Sequence, residues 1–502
     1  MNQILQLLPQ RKEVCFVVKQ AFSKSFCEQL ILQKKHSFQS AQSHYPTSYR
    51  NNERQILDNQ ILAEKLFLKI KNYVPLQIEI EGIAKEEKGS WNLRQLNDRI
   101  RICRYLPGQY FNKHLDGVHF RSKELQSKLT FMVYLNSASE YQGGRTLFFD
   151  SKEDDSVIQS FLPEEGDLII FDHNLWHSGE EVLSGEKYIL RSDILYQKNE
   201  SETDKNNGAF SEGHLGYIWS IIRFNNNILT AGRDRLIKVW NTSTEQKVDE
   251  FLSHENSIFA LLKLNDQTLL SASRDQLIKF WKKENGKFLL QKDIEIHKAT
   301  VLTLCKIDDS IFVSGGGDGI INIVNEYGNV LLQWKGHEEW IWQIVKISET
   351  KICSVGEGGM LKIWNYTNGE LLDSFLINFP INTIAFDSDR KIIFIGNAKG
   401  EILSLFWKRD QCELILQNTF QAHQGIIRRL KIVNGFLFSA GEDSKVRIWN
   451  YDEKKCIQEI KHDNFVQDFI IENDYLISVS YDGRILKTKL IESFISIEDP
   501  FL

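Results

Sequence analysis

The chain of 502 residues is poor in the features that mark secreted, membrane-spanning or nucleic-acid-coating proteins. It has seven cysteines: Cys15, Cys27, Cys103, Cys305, Cys353, Cys412 and Cys456. Their odd number, wide spread and lack of any Cys-x-x-Cys pair argue against a disulfide framework and a thiolate zinc site. Reduced thiols in a cytoplasmic (or nuclear) protein are expected instead. No apolar run approaches the ~20 residues needed to span a bilayer, so no membrane partner is expected. Residues 1–10 have no charged lead and only a short apolar stretch, so no secretory signal is expected there. A basic excess is missing too. The net charge is −6, which argues against nucleic acid as a partner. What remains, 42% hydrophobic and 25% charged residues, suits a globular chain long enough for two or more domains.

The first 200 residues begin with a short apolar strand, Val14 to Val18, and two candidate helices. Ser25 and Glu28 have capping-box spacing ahead of Phe26, Leu30 and Ile31. Asn59 to Tyr73 places Ile61, Leu62, Leu66, Ile70 and Tyr73 at helical spacing. Ser37 to Arg54 is polar and shows no clear period. From Trp91 the period shortens towards two, in Arg99–Tyr105, Leu129–Asn136, Thr146–Phe149, Asp167–Phe171 and Tyr188–Tyr196. Turns at Gly143-Gly144, Gly166 and Gly185 separate these strands. Two helices followed by several strands suggest an α+β domain, a β-sandwich or jelly roll braced by helices.

Two stretches in this region carry chemistry. Tyr105 to Gly117 contains His114 and Asp116, two residues apart and so on one face of a strand. Phe171 to Gly179 contains His177. Two imidazoles and one carboxylate leave open positions on a metal, the ligand set of non-heme Fe(II) oxygenases. His173, four residues before His177, reads as a solvated or outer-sphere residue. His119 reads as a loop histidine, Asp172 as a strand end, and Arg121 to Lys128 as a charged loop near the site mouth.

The ordered set Tyr105, His114-x-Asp116, Tyr134-Leu-Asn136, Gly143-Gly-Arg-Thr146, Gly166–Phe171, His177 and Gly185-Glu-Lys187 resembles the prolyl 4-hydroxylase-type Fe(II)/2-oxoglutarate dioxygenases. The resemblance implies a double-stranded β-helix (jelly roll) that binds Fe(II), 2-oxoglutarate and O2, with ascorbate as reductant. It implies that His114, Asp116 and His177 hold the metal. Lys187, ten residues after His177, would pair with the distal carboxylate of 2-oxoglutarate, and Tyr134 would donate to the same group. Arg191 lies on the same strand face as Lys187 and can share or take over that role. Tyr105 and Thr146 would line the pocket.

Residues 197–212 read as a polar linker between a domain at 1–196 and a second at 213–502. Beyond the linker the chain repeats itself. The clearest units are His214…Thr230…Asp234…Trp240, His254…Ser271…Asp275…Trp281 and His423…Ser439…Asp443…Trp449. Partial units run His297…Ser314…Asp318 (Val324 for Trp), His337…Ser354…Trp364 (Gly358 for Asp) and His462…Ser478…Asp482 (Thr488 for Trp). Residues 381–416 keep only the strand pattern. Asp234, Asp275 and Asp318 recur with the ~40–45-residue period of a WD repeat, one four-stranded blade each. Seven units predict an all-β seven-bladed propeller whose histidines are structural. Either 491–502 or the Ala209-Phe210 stretch would supply the closing strand. Trp340 and Trp342 read equally as core or contact residues.

The resulting expectation is a dioxygenase that hydroxylates a protein residue, prolyl by the resemblance, with the propeller recruiting a protein or peptide partner. Its rivals are an oxygenase for another side chain or a small molecule, a vestigial oxygenase on a scaffold, and an oxygen or 2-oxoglutarate sensor. Oxidative repair of nucleic acid is the remaining class, against which the acidity argues.

Overall fold

The computed structural model describes residues 2–34, 37–80, 88–122, 124–152, 154–198, 210, 213–408 and 413–491. The chain divides into two compact units, Met1–Asp204 and Lys205–Leu502. Both are mostly β. The described helices are Lys24–Lys34 and Gln60–Ile70, with one 3-10 turn at Ala41–Ser43. No described helix is long and apolar enough to cross a membrane.

In the first unit, strand alternation sorts side chains between two cores. Phe16 and Val18 face one core and Cys15 and Val17 the other, and Phe131 and Val133 are split in the same way from Met132 and Tyr134. These strands belong to a ten-stranded sheet. Its main path is Ile4–Gln6, Cys15–Val18, Leu168–Asp172, Leu125–Tyr134, Lys187–Lys198, Arg99–Tyr105, Glu53–Asp58 and Gln39–Ser40, paired antiparallel throughout. Gly89–Leu96 joins the later half of Lys187–Lys198 and carries Gln77–Ile80. One face of this sheet is covered by the helices through Cys27, Leu30, Ala63, Leu66 and Ile70. Each large apolar side chain withdrawn there stabilises the fold by roughly 1.5–3 kcal/mol. The opposite face packs on a four-stranded sheet, Val157–Phe161, Thr146–Phe149, Trp176–Gly179 and Phe111–His114. That contact runs through Phe111, Phe148 and Phe161 against Tyr134, Ile169 and Phe171.

Three local expectations are corrected. The first helix is capped by Ser23, whose hydroxyl accepts the Phe26 N–H at 3.3 Å, so Ser25 falls inside the first turn. The second is capped by Asn59, which accepts from the Leu62 N–H at 2.9 Å. It turns Ala63 to the core and leaves Ile61 exposed, because Ala63, Leu66 and Ile70 share the 3–4 spacing of one face. The charged stretch from Arg121 becomes strand at Leu125. Lys128 is buried there with its ammonium 3.9 Å from the Trp91 ring centre; Lys123 lies outside the described residues.

The second unit is seven successive antiparallel sheets. Six have four strands, in chain order, and the last has three among the described residues. Within the repeats His, hydroxyl, Asp and Trp bond in series. His214 Nδ1 lies 2.9 Å from Asp234 and its Nε2 2.7 Å from Thr230 Oγ1, to which Trp240 Nε1 donates at 2.9 Å. His254 and His423 build the same chain with Asp275, Ser271 and Trp281, and with Asp443, Ser439 and Trp449. His297 reaches Asp318 and Ser314. His337 reaches Ser354, to which Trp364 donates. His462 bonds Ser478, whereas Asp482 accepts from Ser480.

Neighbouring sheets are stitched through their first strands. Ser220 accepts from the Leu261 N–H, Thr303 from Ile344, Gln343 from Ile384 and Thr383 from Leu430. Asp468, buried in the last sheet, accepts from the Ile221 N–H of the first at 3.2 Å. It also pairs with Arg429 and Lys431 of the sixth at 3.1 and 3.0 Å. Trp340 is buried and Trp342 half-buried, its indole donating to Glu357 at 2.7 Å.

Candidate metal centre

The strand Phe111–His114 pairs with Trp176–Gly179, and the register sets His114 opposite His177. Asp116 lies past the end of its strand, not on it as its spacing predicted. Its backbone N–H donates to the His173 carbonyl at 3.2 Å, and that bond turns the carboxylate inward. His114 Nε2 lies 3.5 Å from Asp116 Oδ1, and His177 Nε2 lies 3.6 Å from Oδ2. The three ligand atoms fall within 4.8 Å of one another.

The ring nitrogens are assigned by their surroundings. Each Nδ1 meets a nearby carbonyl, His114 with Asn112 O at 2.7 Å and His177 with Leu175 O at 2.9 Å. The proton therefore sits on Nδ1 and the Nε2 lone pair is free. Burial lowers both imidazole pKa values, that of His177 to about 3, so both rings are neutral near pH 7. Their contacts with Asp116 are thus not ion pairs. His114 Nε2 is buried and has no hydrogen-bond partner among the described residues, an orphan that a metal would satisfy. Burial alone would push the Asp116 carboxyl up; the Arg191 guanidinium outweighs it and holds it well below the usual carboxylate range. Two neutral nitrogens and one carboxylate oxygen fit a divalent metal with open positions.

The floor of the pocket follows from strand register. Lys187 is opposite Tyr105. Its ammonium lies 5.4 Å from the Tyr105 ring centre and 5.5 Å from that of Tyr134, and donates to the Gly144 carbonyl at 2.6 Å. Burial lowers its pKa to about 8, and no carboxylate among the described residues lies within ion-pair distance. Gly144, at φ +66°, is required here: a Cβ would meet Lys187 Cδ at 3.2 Å and Tyr141 at 3.1 Å. Tyr134 OH and Thr146 Oγ1 are 2.6 Å apart. Arg191 points elsewhere. It pairs with Asp116 Oδ1, while Thr130 donates to Oδ2.

Residues 100–192 match the model of the 2OG-Fe(II) oxygenase superfamily. The chain carries a 2OG-Fe(II) oxygenase domain. Residues 207–241 and 415–450 match the WD domain, G-beta repeat. A putative prolyl 4-hydroxylase of Acanthamoeba polyphaga mimivirus is 33% identical over 109 residues, 18% of this chain and 41% of the relative. WD repeat-containing protein 18 of Danio rerio is 26% identical over 178 residues, 31% of this chain and 41% of the relative. A p21-activated protein kinase-interacting protein 1-like protein, also of Danio rerio, is 28% identical over 217 residues, 41% of this chain and 56% of the relative. The chain thus spans about half the length or less of these relatives.

The oxygenase family implies Fe(II), 2-oxoglutarate and O2. Fe(II) would sit on His114, Asp116 and His177. Held there with its oxo acid, Fe(II) would let O2 act as the oxidant that couples loss of CO2, leaving succinate, to oxidation of a C–H bond. The chain's own residues would ligate, orient and exclude water.

His173 is buried rather than solvated, both ring nitrogens lacking a partner among the described residues. Asp116 and Lys128 bracket its backbone, which draws the ring inward. His119 stays outside the triad, half-buried, its N–H donating to Ser127. Asp172 ends its strand, as read. Sequence reading missed a wall over the metal ligands. Tyr49 lies edge-on to His114 with ring centres 5.8 Å apart, Phe111 stacks on His114 at 3.6 Å, and Arg50 lies 4.2 Å from the Phe111 ring. The clustering of Tyr45, Tyr49, Arg50 and Arg54 in an otherwise polar stretch was the available signal.

Proposed function

We propose that the protein is an Fe(II)- and 2-oxoglutarate-dependent dioxygenase that hydroxylates a prolyl residue of a protein, with ascorbate keeping the iron reduced. One observation carries this. The orphan Nε2 of His114 faces Asp116 and His177 in the same pocket as a buried ammonium, Lys187, that has no carboxylate of its own. Lys187, with Tyr134 and Thr146 beside it, is assigned to the distal carboxylate of 2-oxoglutarate. Arg191 is assigned to Asp116, since its guanidinium is already committed there. The prolyl target is supported by the similarity to the mimiviral putative prolyl 4-hydroxylase. The two sheets around the site are read as a double-stranded β-helix, with domain limits of 1–196 and 213–502.

The seven sheets of the second unit are read as a seven-bladed propeller that recruits the substrate protein, in the cytoplasm or nucleus. Phe210 favours the stretch before the first sheet as its closing strand. Phe251, Trp334 and Phe420 in outer strands pack on Trp281, Trp364 and Trp449 of the next sheet, and Phe210 packs in the same way on Trp240, at 5.6 Å. Residues 492–502, the other candidate, lie outside the described residues.

The test is anaerobic addition of Fe(II) and 2-oxoglutarate, followed by the visible charge-transfer band of a chelated 2-oxo acid. The band is expected in the wild type, absent in His114→Ala and weakened in Lys187→Ala. A folded, iron-loaded wild type without the band would leave the chain as a scaffold.

A further inference from the structure

The wall over the metal ligands holds two cations that the reaction as described does not use. Arg50 and Arg54 are 5% and 8% exposed. Burying a guanidinium costs several kcal/mol unless an anion compensates it. No carboxylate among the described residues lies within ion-pair distance of either. Arg50 Nε donates to Asn52 Oδ1 at 2.9 Å, and its guanidinium lies 5.3 Å from the Tyr45 ring centre. Arg54 lies 4.9 Å from the same ring. Two like charges therefore share one aromatic neighbour, and each disfavours the other.

The remaining cations of the pocket are accounted for. Arg191 is on Asp116, Arg101 is on Asp193 at 3.2 Å, and Lys187 is reserved for the oxo acid. Arg50 lines the same cavity as His114 and His177. Phe111 touches both Arg50 and His114, so an anion held by Arg50 would sit about two side-chain widths from the metal ligands.

We propose that Arg50, backed by Arg54, binds a carboxylate of the substrate, so that the molecule oxidised is an acid. The proposal rests on the dioxygenase reading. The guanidinium fork matches a carboxylate in bidentate geometry, and its closeness to the ligands suits an oxidisable C–H a few bonds from that group. The carboxylate is either an acidic side chain near the target residue of a protein or the terminal carboxylate of a small molecule.

The experiment uses the full chain with Fe(II) and 2-oxoglutarate, without O2. Four probe pools are added: capped random peptides with one fixed glutamate, the same with glutamine, N-acetyl amino acids, and their amides. Perturbation of the visible band reports binding. One acid pool is expected to bind about 10–100-fold more tightly than its amide, and which one does so identifies the source. The preference is expected to disappear in Arg50→Met and to return in part in Arg50→Lys. Equal binding of acids and amides by the wild type would overturn the proposal. So would a preference that survives Arg50→Met. A loss of 2-oxoglutarate affinity in Arg50→Met with the preference intact would move Arg50 to the oxo acid. If no band forms in the wild type, the dioxygenase reading fails separately. Calorimetry of the same pools on metal-free wild type and Arg50→Met then still decides the role of Arg50. Should Arg50→Met not fold, Arg50→Gln replaces it.

Discussion

Asp116 has two roles. Its oxygens face the imidazoles, and its charge is balanced by Arg191 while the Thr130 hydroxyl donates to it. Removing one member of a buried ion pair leaves the other uncompensated and costs about 3–5 kcal/mol. Arg191→Leu is therefore expected to lower the thermal stability of the metal-free first unit. Mn(II), by returning a positive charge to Asp116, should restore more stability in the variant than it adds to the wild type, as scanning calorimetry with and without Mn(II) would measure. Lys187 gives a pH dependence of definite sign. Its ammonium is the form that attracts a carboxylate, and burial lowers its pKa to about 8. Affinity for 2-oxoglutarate should hold steady below about pH 8 and fall roughly tenfold per unit above it. Lys187→Met should bind weakly at every pH, and calorimetric titration from pH 6.5 to 9.5 separates the two. The cluster of His114, Asp116 and His177 was legible because the three stood in an ordered set of motifs, although His-x-Asp alone is a weak signal. Arg50 and Tyr49 were not: Ser37 to Arg54 has no period, and their place depends on a bridge from Arg50 to Phe111, 61 positions on.

At the scale of elements, the repeats were legible for the opposite reason. Each sheet is local, and its His, hydroxyl, Asp and Trp recur at fixed offsets. The fourth repeat tests what that network contributes. Gly358 stands 21 positions after His337, as Asp318 stands after His297. Without that carboxylate, burial holds the His337 pKa at about 3. A Cβ at Gly358 would meet nothing within 4 Å, and its φ is not in the left-handed region. Gly358→Asp is expected to give His337 Nδ1 the partner its equivalents have and to stabilise the second unit by about 0.5–1.5 kcal/mol. A raised midpoint in urea unfolding, with unchanged slope, is the outcome that checks it; no rise would mean that Ser354 and Trp364 already suffice. The helix starts illustrate a milder limit. Ser25 has capping-box spacing in sequence, yet the bond from the Phe26 N–H makes Ser23 the cap.

At the scale of the molecule, the stitching between sheets had no sequence signal, because each bond joins residues about 40 or more positions apart and uses ordinary side chains. Asp468 is the strongest case. It accepts from the first sheet and neutralises two cations of the sixth. Asp468→Ala is expected to destabilise the second unit by about 3 kcal/mol or more and to leave the first unit unchanged. Two transitions in calorimetry, of which one moves, would bear this out; a joint shift would count against it.

The bond between Ile221 and Asp468 spans 247 positions. A ribosome adding about 5–20 residues per second takes on the order of 10–50 s to cover that distance. For that time the nascent chain presents the opening strand of its first sheet with one flank uncovered, while the entire oxygenase domain has already emerged. A stalled or truncated message would release a chain whose first unit is whole and whose first sheet lacks the partner that Asp468 provides.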